Sequence, residues 1–177
     1  ASSGFSERDR ALATELVYGT SRRAGELDVV VASASGRSLA SLDTGVLVLL
    51  RMAVYQLLFL RIPDHAAVAE SVELAKGRGF ARASGLVNAV LRNVTRGGVD
   101  KWTAVIANSA ELVASHPVWI ARLIEESLAH TGDHADLLEA LEGHNQAPRV
   151  TLAHLPGLSS PEKGHTLYSP LGEVLSS

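Results

Sequence analysis

The stretch TGVLVLLRMAVYQLLFLRIPDHAAVAESVELAK, residues 44–76, decides the fold. From Thr44 to Leu60 it is apolar on every side of a helical wheel except at Arg51 and Gln56. Such a segment reads as a buried central helix. A charged residue in that setting is usually paired, so Arg51 reads as structural. Pro63 disfavours helix at the residue before it and ends the segment at Ile62-Pro63-Asp64. Asp64 then suits the cap of a further helix, His65 to Lys76, with Ala66, Ala69, Val72 and the Val68/Ala75 edge turned inward. Gly77 and Gly79 close it.

On the N-terminal side, Ser6 with Glu7 and Asp9 behind it reads as a helix start. Leu12, Leu16, Leu27, Val30, Val31 and Ala34 fall in one sector at helical spacing, and Arg8, Glu15, Arg22 and Glu26 lie on a stripe beside it. Residues 6–34 are thus predicted as one long amphipathic helix, or two with a break near Gly19 or Gly25. On the C-terminal side, Arg82 to Val94 carries Ala83, Leu86, Val87, Val90 and Val94 at i, i+3, i+4 spacing, and Gly97-Gly98 reads as a stop. Trp102–Ala114, Pro117–Ala129 and Asp133–Gly143 are predicted as further helices. Residues Arg149–Leu155 alternate and are the single strand expected, before a loop-like tail. The fold class expected is all-α to about residue 145, followed by the start of an α/β subdomain.

Composition narrows the chemistry. The chain has 177 residues, 46% hydrophobic and 20% charged, and no cysteine. It is large enough for a core without disulfides or metals. Zero cysteine excludes a disulfide, a thiolate nucleophile and any cysteine-ligated metal within these residues. No apolar run approaches a membrane span, and a cytoplasmic protein is expected. The net charge of −3 hides a split: residues 1–99 carry twelve Lys/Arg against nine Asp/Glu, and residues 100–177 carry four against ten. Eleven of the twelve basic residues in the first part are Arg, whose planar fork suits phosphate.

Most short motifs reduce to plain structure. Gly77-Arg78-Gly79 with Gly85 follows no strand and reads as helix termination rather than a phosphate loop. His130 and His134 have metal spacing, but Gly132 and Asp133 lie between them and no third ligand is placed, so no metal site is expected. Glu70 and Glu73 share a helix face, where a solvated face, or salt bridges to Arg82 or Arg92, outweighs acid–base work. Arg23, at the edge of the apolar face, reads as an ion-pair partner. One feature favours a ligand: Arg82, Arg92 and Arg96 fall within a stripe about 80° wide on one predicted helix, with Arg78 just before it. Such a stripe can follow a nucleic-acid backbone. Arg8 and Arg22 form a second, weaker surface, since Glu15 and Glu26 share their stripe.

Five blocks in order resemble the NusB-like helical domain across residues 6–96: RALATELVYGT (10–20), LRMAVYQLLFL (50–60), IPDHAAV (62–68), VELAK (72–76) and GLVNAVLR (85–92). Two families carry that domain, the stand-alone NusB antitermination factors and the RsmB/Sun (Fmu) 16S rRNA cytosine-C5 methyltransferases. Ser115-His116-Pro117-Val118-Trp119-Ile120 resembles the HPxW element of the methyltransferases. Asn145 to Val150 resembles their NxxRP element, with Arg and Pro in inverted order. Ala69 stands where the family often has Asn.

The resemblance implies a NusB-like RNA-binding domain at residues 1–100 lacking its first helix, a helical connector at 101–145, and the truncated beginning of a methyltransferase subdomain at 146–177. It implies small-subunit rRNA as partner, with Arg8, Arg22, Arg78, Arg82, Arg92 and Arg96 as the RNA-contacting candidates. S-adenosylmethionine is expected for a full-length parent, while this chain holds no catalytic, cofactor-binding or metal-ligating residue. Docking of the domain on its own catalytic half is a further expectation. The other reading, a NusB-type antitermination factor, would have RNA and a ribosomal protein as partners.

Overall fold

In the computed structural model, residues 4, 6–110, 112–131, 136–146, 151–155, 157–158, 166 and 172–174 are described. The helices are α1 (Glu7–Arg22), α2 (Ala24–Ser35), α3 (Thr44–Phe59), α4 (Asp64–Gly77), α5 (Ser84–Ala107), α6 (Val118–Thr131) and α7 (Leu137–Asn145). Strands β1 (Leu112–Val113) and β2 (His116–Pro117) form one antiparallel pair, and β3 (Thr151–Ala153) and β4 (Gly172–Val174) another. The chain divides into two compact units, residues 1–145 and 146–177.

In the first unit α3 is the axis, packed by α1, α2, α4 and α5. Its Leu50, Ala53 and Val54 are fully buried, against Leu27, Val30 and Val31 of α2 and Val87 and Leu91 of α5. Each such aliphatic side chain stabilises the fold by about 1.5–3 kcal/mol relative to exposure. The burial predicted for α3 holds except along one edge, where Val48 stays about half exposed. The Arg51 guanidinium meets the Asp28 carboxylate of α2 through two hydrogen bonds of 2.7 Å. That pairing raises the Arg51 pKa above its ordinary range and pins α2 to α3.

Helix α1 begins as expected. Ser6 accepts the backbone N–H of Asp9, and Asp9 reaches back to the Ser6 N–H, a complete capping box. The Ser6 hydrogen bonds are also the main reason the Asp9 carboxyl titrates below its usual range. The long segment is two helices, as one expectation had it, with the break at Arg23, two residues before Gly25. Gly19 lies inside α1 because the Tyr55 ring sits where a side chain would be. Glu26 leaves the stripe expected for Arg8, Glu15, Arg22 and Glu26: it is buried, while Arg8 and Glu15 are exposed. Its carboxylate is held by Arg23 at 2.7 Å and by the Ser115 hydroxyl. Glu15 accepts the Tyr55 hydroxyl at 2.5 Å.

Helix α4 turns its Val68/Ala75 edge inward as expected, but the centre of its buried face is shifted. Ala67, Val68, Ser71 and Ala75 are buried, while Ala69 is exposed. Ser71 can be buried because its hydroxyl donates to the Ala67 carbonyl at 2.7 Å. Gly98 does interrupt α5, with φ of 72° and ψ of 165°, yet helix resumes at once and runs to Ala107. Trp102 therefore joins the core, fully buried.

The helix predicted for Trp102–Ala114 thus ends early, and the β1–β2 hairpin occupies its last part. Ala114 and Ser115 make its turn with φ of 46° and 69°. The Ala114 carbonyl accepts the Asn145 amide at 2.7 Å. Helix α6 matches the expectation to within a residue or two, and α7 covers Leu137–Asn145, the expected start at Asp133 lying outside the described residues. In the second unit the expected strand is present over Thr151–Ala153, its first two residues lying outside the described ones. The tail is not all loop, since β4 pairs with β3 and His154 meets Glu173 at 2.9 Å.

Candidate nucleic-acid interface

The six arginines singled out from the sequence occupy three places. Arg92 and Arg96 lie one turn apart on α5 and open into the same groove between α4 and α5. Arg82 is not on that helix: it sits in a 3-10 turn, Ala81–Ala83, that precedes it. Arg78 caps the end of α4. Ten residues at about 1.5 Å each put Arg82 roughly 15 Å along the hairpin from Arg92. The stripe of three on one helix is therefore two arginines in a groove and two at the hairpin's far end, all four exposed.

Arg8 and Arg22 stand apart on α1, which packs on α3 and α2. Arg8 lies beside Asp9 in the first turn. Arg22 is half-buried, near enough to Tyr55 to act on its hydroxyl. Arg23 is structural, as expected, paired with Glu26 and stacked over the Phe59 ring at 4.3 Å.

The groove has a volume of about 500 Å³. Val68, Ala69 and Val72 of α4 line one side, and Asn88, Arg92, Thr95 and Arg96 of α5 the other. Asp64, His65 and Glu73 complete it. Arg92 Nε donates to Asn88 Oδ1 at 3.1 Å, and Arg96 Nε to the Arg92 carbonyl at 3.2 Å. These bonds hold the Nε of each guanidinium. Of the two readings of the Glu70/Glu73 face, the solvated one holds: both residues are exposed, and no salt bridge from Glu73 to Arg82 or Arg92 occurs among the described residues. Glu73 takes Lys76 of its own helix instead, at 2.7 Å, because i,i+3 neighbours meet at no cost in chain order. Among the described residues Arg92 and Arg96 enter no ion pair.

Sequence reading missed His65, Asn88 and Thr95 as parts of this site. Their signal was available: Asn88, Arg92 and Thr95 recur at i, i+4, i+7, one face of a helix. No cluster of metal-ligating side chains occurs among the described residues. His130 Nδ1 bonds the Glu126 carbonyl at 2.7 Å, and His134 lies outside the described residues. No described helix is long and apolar enough to cross a membrane.

Comparison with known proteins agrees with this architecture. A protein of Mycobacterium tuberculosis (strain H37Rv) that carries a methyltransferase name is 39% identical over 165 residues, covering 88% of this chain and 35% of the relative. Ribosomal RNA small subunit methyltransferase B of Pseudomonas putida is 35% identical over 119 residues, 67% of this chain and 27% of its own. The enzyme of that name from Yersinia pseudotuberculosis is 31% identical over 148 residues, 84% and 33%. The chain thus spans about a third of the length of these relatives. The NusB family model matches residues 1–96, the stretch that contains the α3 axis and both walls of the arginine groove. With more than half of its length matched, the chain belongs to the NusB family.

Proposed function

We propose that this chain is the RNA-binding, NusB-like portion of an S-adenosylmethionine-dependent methyltransferase that modifies cytosine C5 in small-subunit rRNA. The observation that carries this reading is the reach of the similarity. The family model stops at residue 96, but the mycobacterial relative aligns over 165 residues. Shared sequence therefore runs well past the helical bundle, through the β1–β2 hairpin region and toward the second unit. That favours the methyltransferase reading over a stand-alone antitermination factor.

The division of labour follows from chemistry. Methylation at cytosine C5 needs a thiolate to add to C6 and activate the base. These residues include no cysteine. The described residues also contain no glycine-rich strand-to-helix turn of the kind that cradles a nucleotide cofactor. They do not fit S-adenosylmethionine, and no step of the transfer is assigned to them. What they supply is position: arginine forks at two places on a helical hairpin, available to RNA phosphates. Arg78, Arg82, Arg92 and Arg96 form the main contact surface, with Arg8 and Arg22 on α1 as a separate one.

The test is genetic and chemical. Deleting the gene should remove one 5-methylcytidine from 16S rRNA, read by nuclease digestion and mass spectrometry. An unchanged 5-methylcytidine content would overturn the methyltransferase reading.

A further inference from the structure

The α4–α5 groove is built for more than phosphate. Its floor is apolar, from Val68, Ala69 and Val72, and carboxylates belong to it: Glu73 and Asp64. A surface that only tracks a phosphate backbone gains nothing from either feature, because the carboxylates repel phosphate and the apolar floor has no partner there. The combination suits a base instead. Its face covers apolar side chains and stacks on guanidinium planes, and an exocyclic amine donates to a carboxylate. The volume of about 500 Å³ lies in the range of small-molecule sites and exceeds what a lone phosphate needs. Glu73 gives Oε1 to Lys76, which leaves its other oxygen as an acceptor.

We infer that this groove takes one unpaired nucleotide of RNA whose base carries an exocyclic amine, with Arg92 and Arg96 on its phosphate and base plane and Glu73 or Asp64 on its amine. The inference deepens the RNA-binding reading above and rests on it.

Fluorescence anisotropy with labelled oligo(rC), oligo(rU) and an RNA duplex tests it on the whole chain. Cytosine and uracil differ at C4, an amine against a carbonyl, so the comparison isolates the proposed contact. The expected result is oligo(rC) binding about five-fold or more tighter than oligo(rU), the low end of one base-edge contact, and tighter than the duplex. Ala69→Phe fills the groove from an exposed position and should abolish the advantage of oligo(rC) over both competitors. The pair Asp64→Ala and Glu73→Ala, both at exposed positions, removes the proposed acceptors and should bring oligo(rC) and oligo(rU) close to equality. Equal binding of all three RNAs by the unaltered protein overturns the inference, as does a preference that survives both variants. The combined change Arg82→Ala, Arg92→Ala, Arg96→Ala separates the two levels. If it weakens every RNA while Ala69→Phe changes nothing, the groove inference fails and the RNA-binding reading stands. If it weakens none, the underlying reading fails as well.

Discussion

Trp102 donates its indole N–H to the carbonyl of Val94 at 2.8 Å, reaching back across the interruption at Gly98. A helix that stops at Gly97 leaves its last four carbonyls, residues 94 to 97, without intrahelical partners. Trp102 satisfies the first of them and fills the core beneath the break. Lys101 covers the outer side of the ring at 4.4 Å. Trp102→Phe keeps most of the packing but leaves the Val94 carbonyl unpaired in a buried place. The expected loss is about 1–3 kcal/mol, read as a lower midpoint in urea denaturation with an unchanged slope.

Tyr55 makes stability depend on alkaline pH. Burial, and then the hydrogen bond to Glu15, pushes its phenol up to about 12. Between pH 10 and about 12 the folded protein retains a proton that the unfolded chain releases. The Tyr55 contribution is whole below pH 10 and falls as pH rises through that window, by at most about 1.4 kcal/mol per pH unit. Denaturation midpoints should drop across that range, and Tyr55→Phe should flatten the drop. An identical alkaline profile in the variant would show that Tyr55 is not the group responsible.

Gly19 and Tyr55 are a fitted pair. A Cβ at position 19 would occupy the space of the Tyr55 hydroxyl end. Gly19→Ala should cost about 1–3 kcal/mol by overpacking, despite the better helix propensity of alanine. In a Tyr55→Leu background, which removes the ring the Cβ would meet, the cost should shrink, and a double-mutant cycle in chemical denaturation measures that coupling.

The hairpin turn stores strain. Ala114 and Ser115 both have positive φ although neither is glycine. Bonds from Ser115 to Glu26, from Asn145 to the Ala114 carbonyl, and between His116 Nδ1 and that carbonyl hold the turn. Ala114→Gly removes the Cβ and keeps these bonds, so it should raise stability by about 1 kcal/mol. Thermal melts followed by circular dichroism would show it as a higher midpoint.

How much of this was legible in the sequence depended on whether local pattern or distant partners decided the outcome. The α3 axis, the Ser6 cap, the chain reversal after Ile62-Pro63 and the structural roles of Arg23 and Arg51 follow from apolar periodicity, capping chemistry and the cost of a buried charge. A break near Gly25 was legible, but its exact place at Arg23 was not, because Gly19 and Gly25 themselves lie inside helices for close packing, against Tyr55 and Leu112. The hairpin was misread for a related reason. Ala114 and Ser115 carry no turn signal, and the contacts that bend the chain there come from Glu26, 89 residues away from Ser115, and Asn145, 31 away from Ala114. For the site, the helical pattern did bring Arg92 and Arg96 together, but it extended the helix back to Arg82, where a 3-10 turn intervenes. The groove itself needed the opposite wall, where the apolar pattern of α4 identifies Val68 and Ala75 as inward but wrongly includes Ala69, which is exposed.

The most direct test of the account is the affinity for 16S rRNA fragments across a salt series, for the unaltered protein and for the Arg82→Ala, Arg92→Ala, Arg96→Ala variant. All three side chains are exposed, so the variant should keep its helical circular dichroism. The account predicts weaker binding and a log K against log salt slope shallower by about 2–3, one unit for each phosphate contact removed. Equal affinity and an equal slope in the two proteins would contradict it.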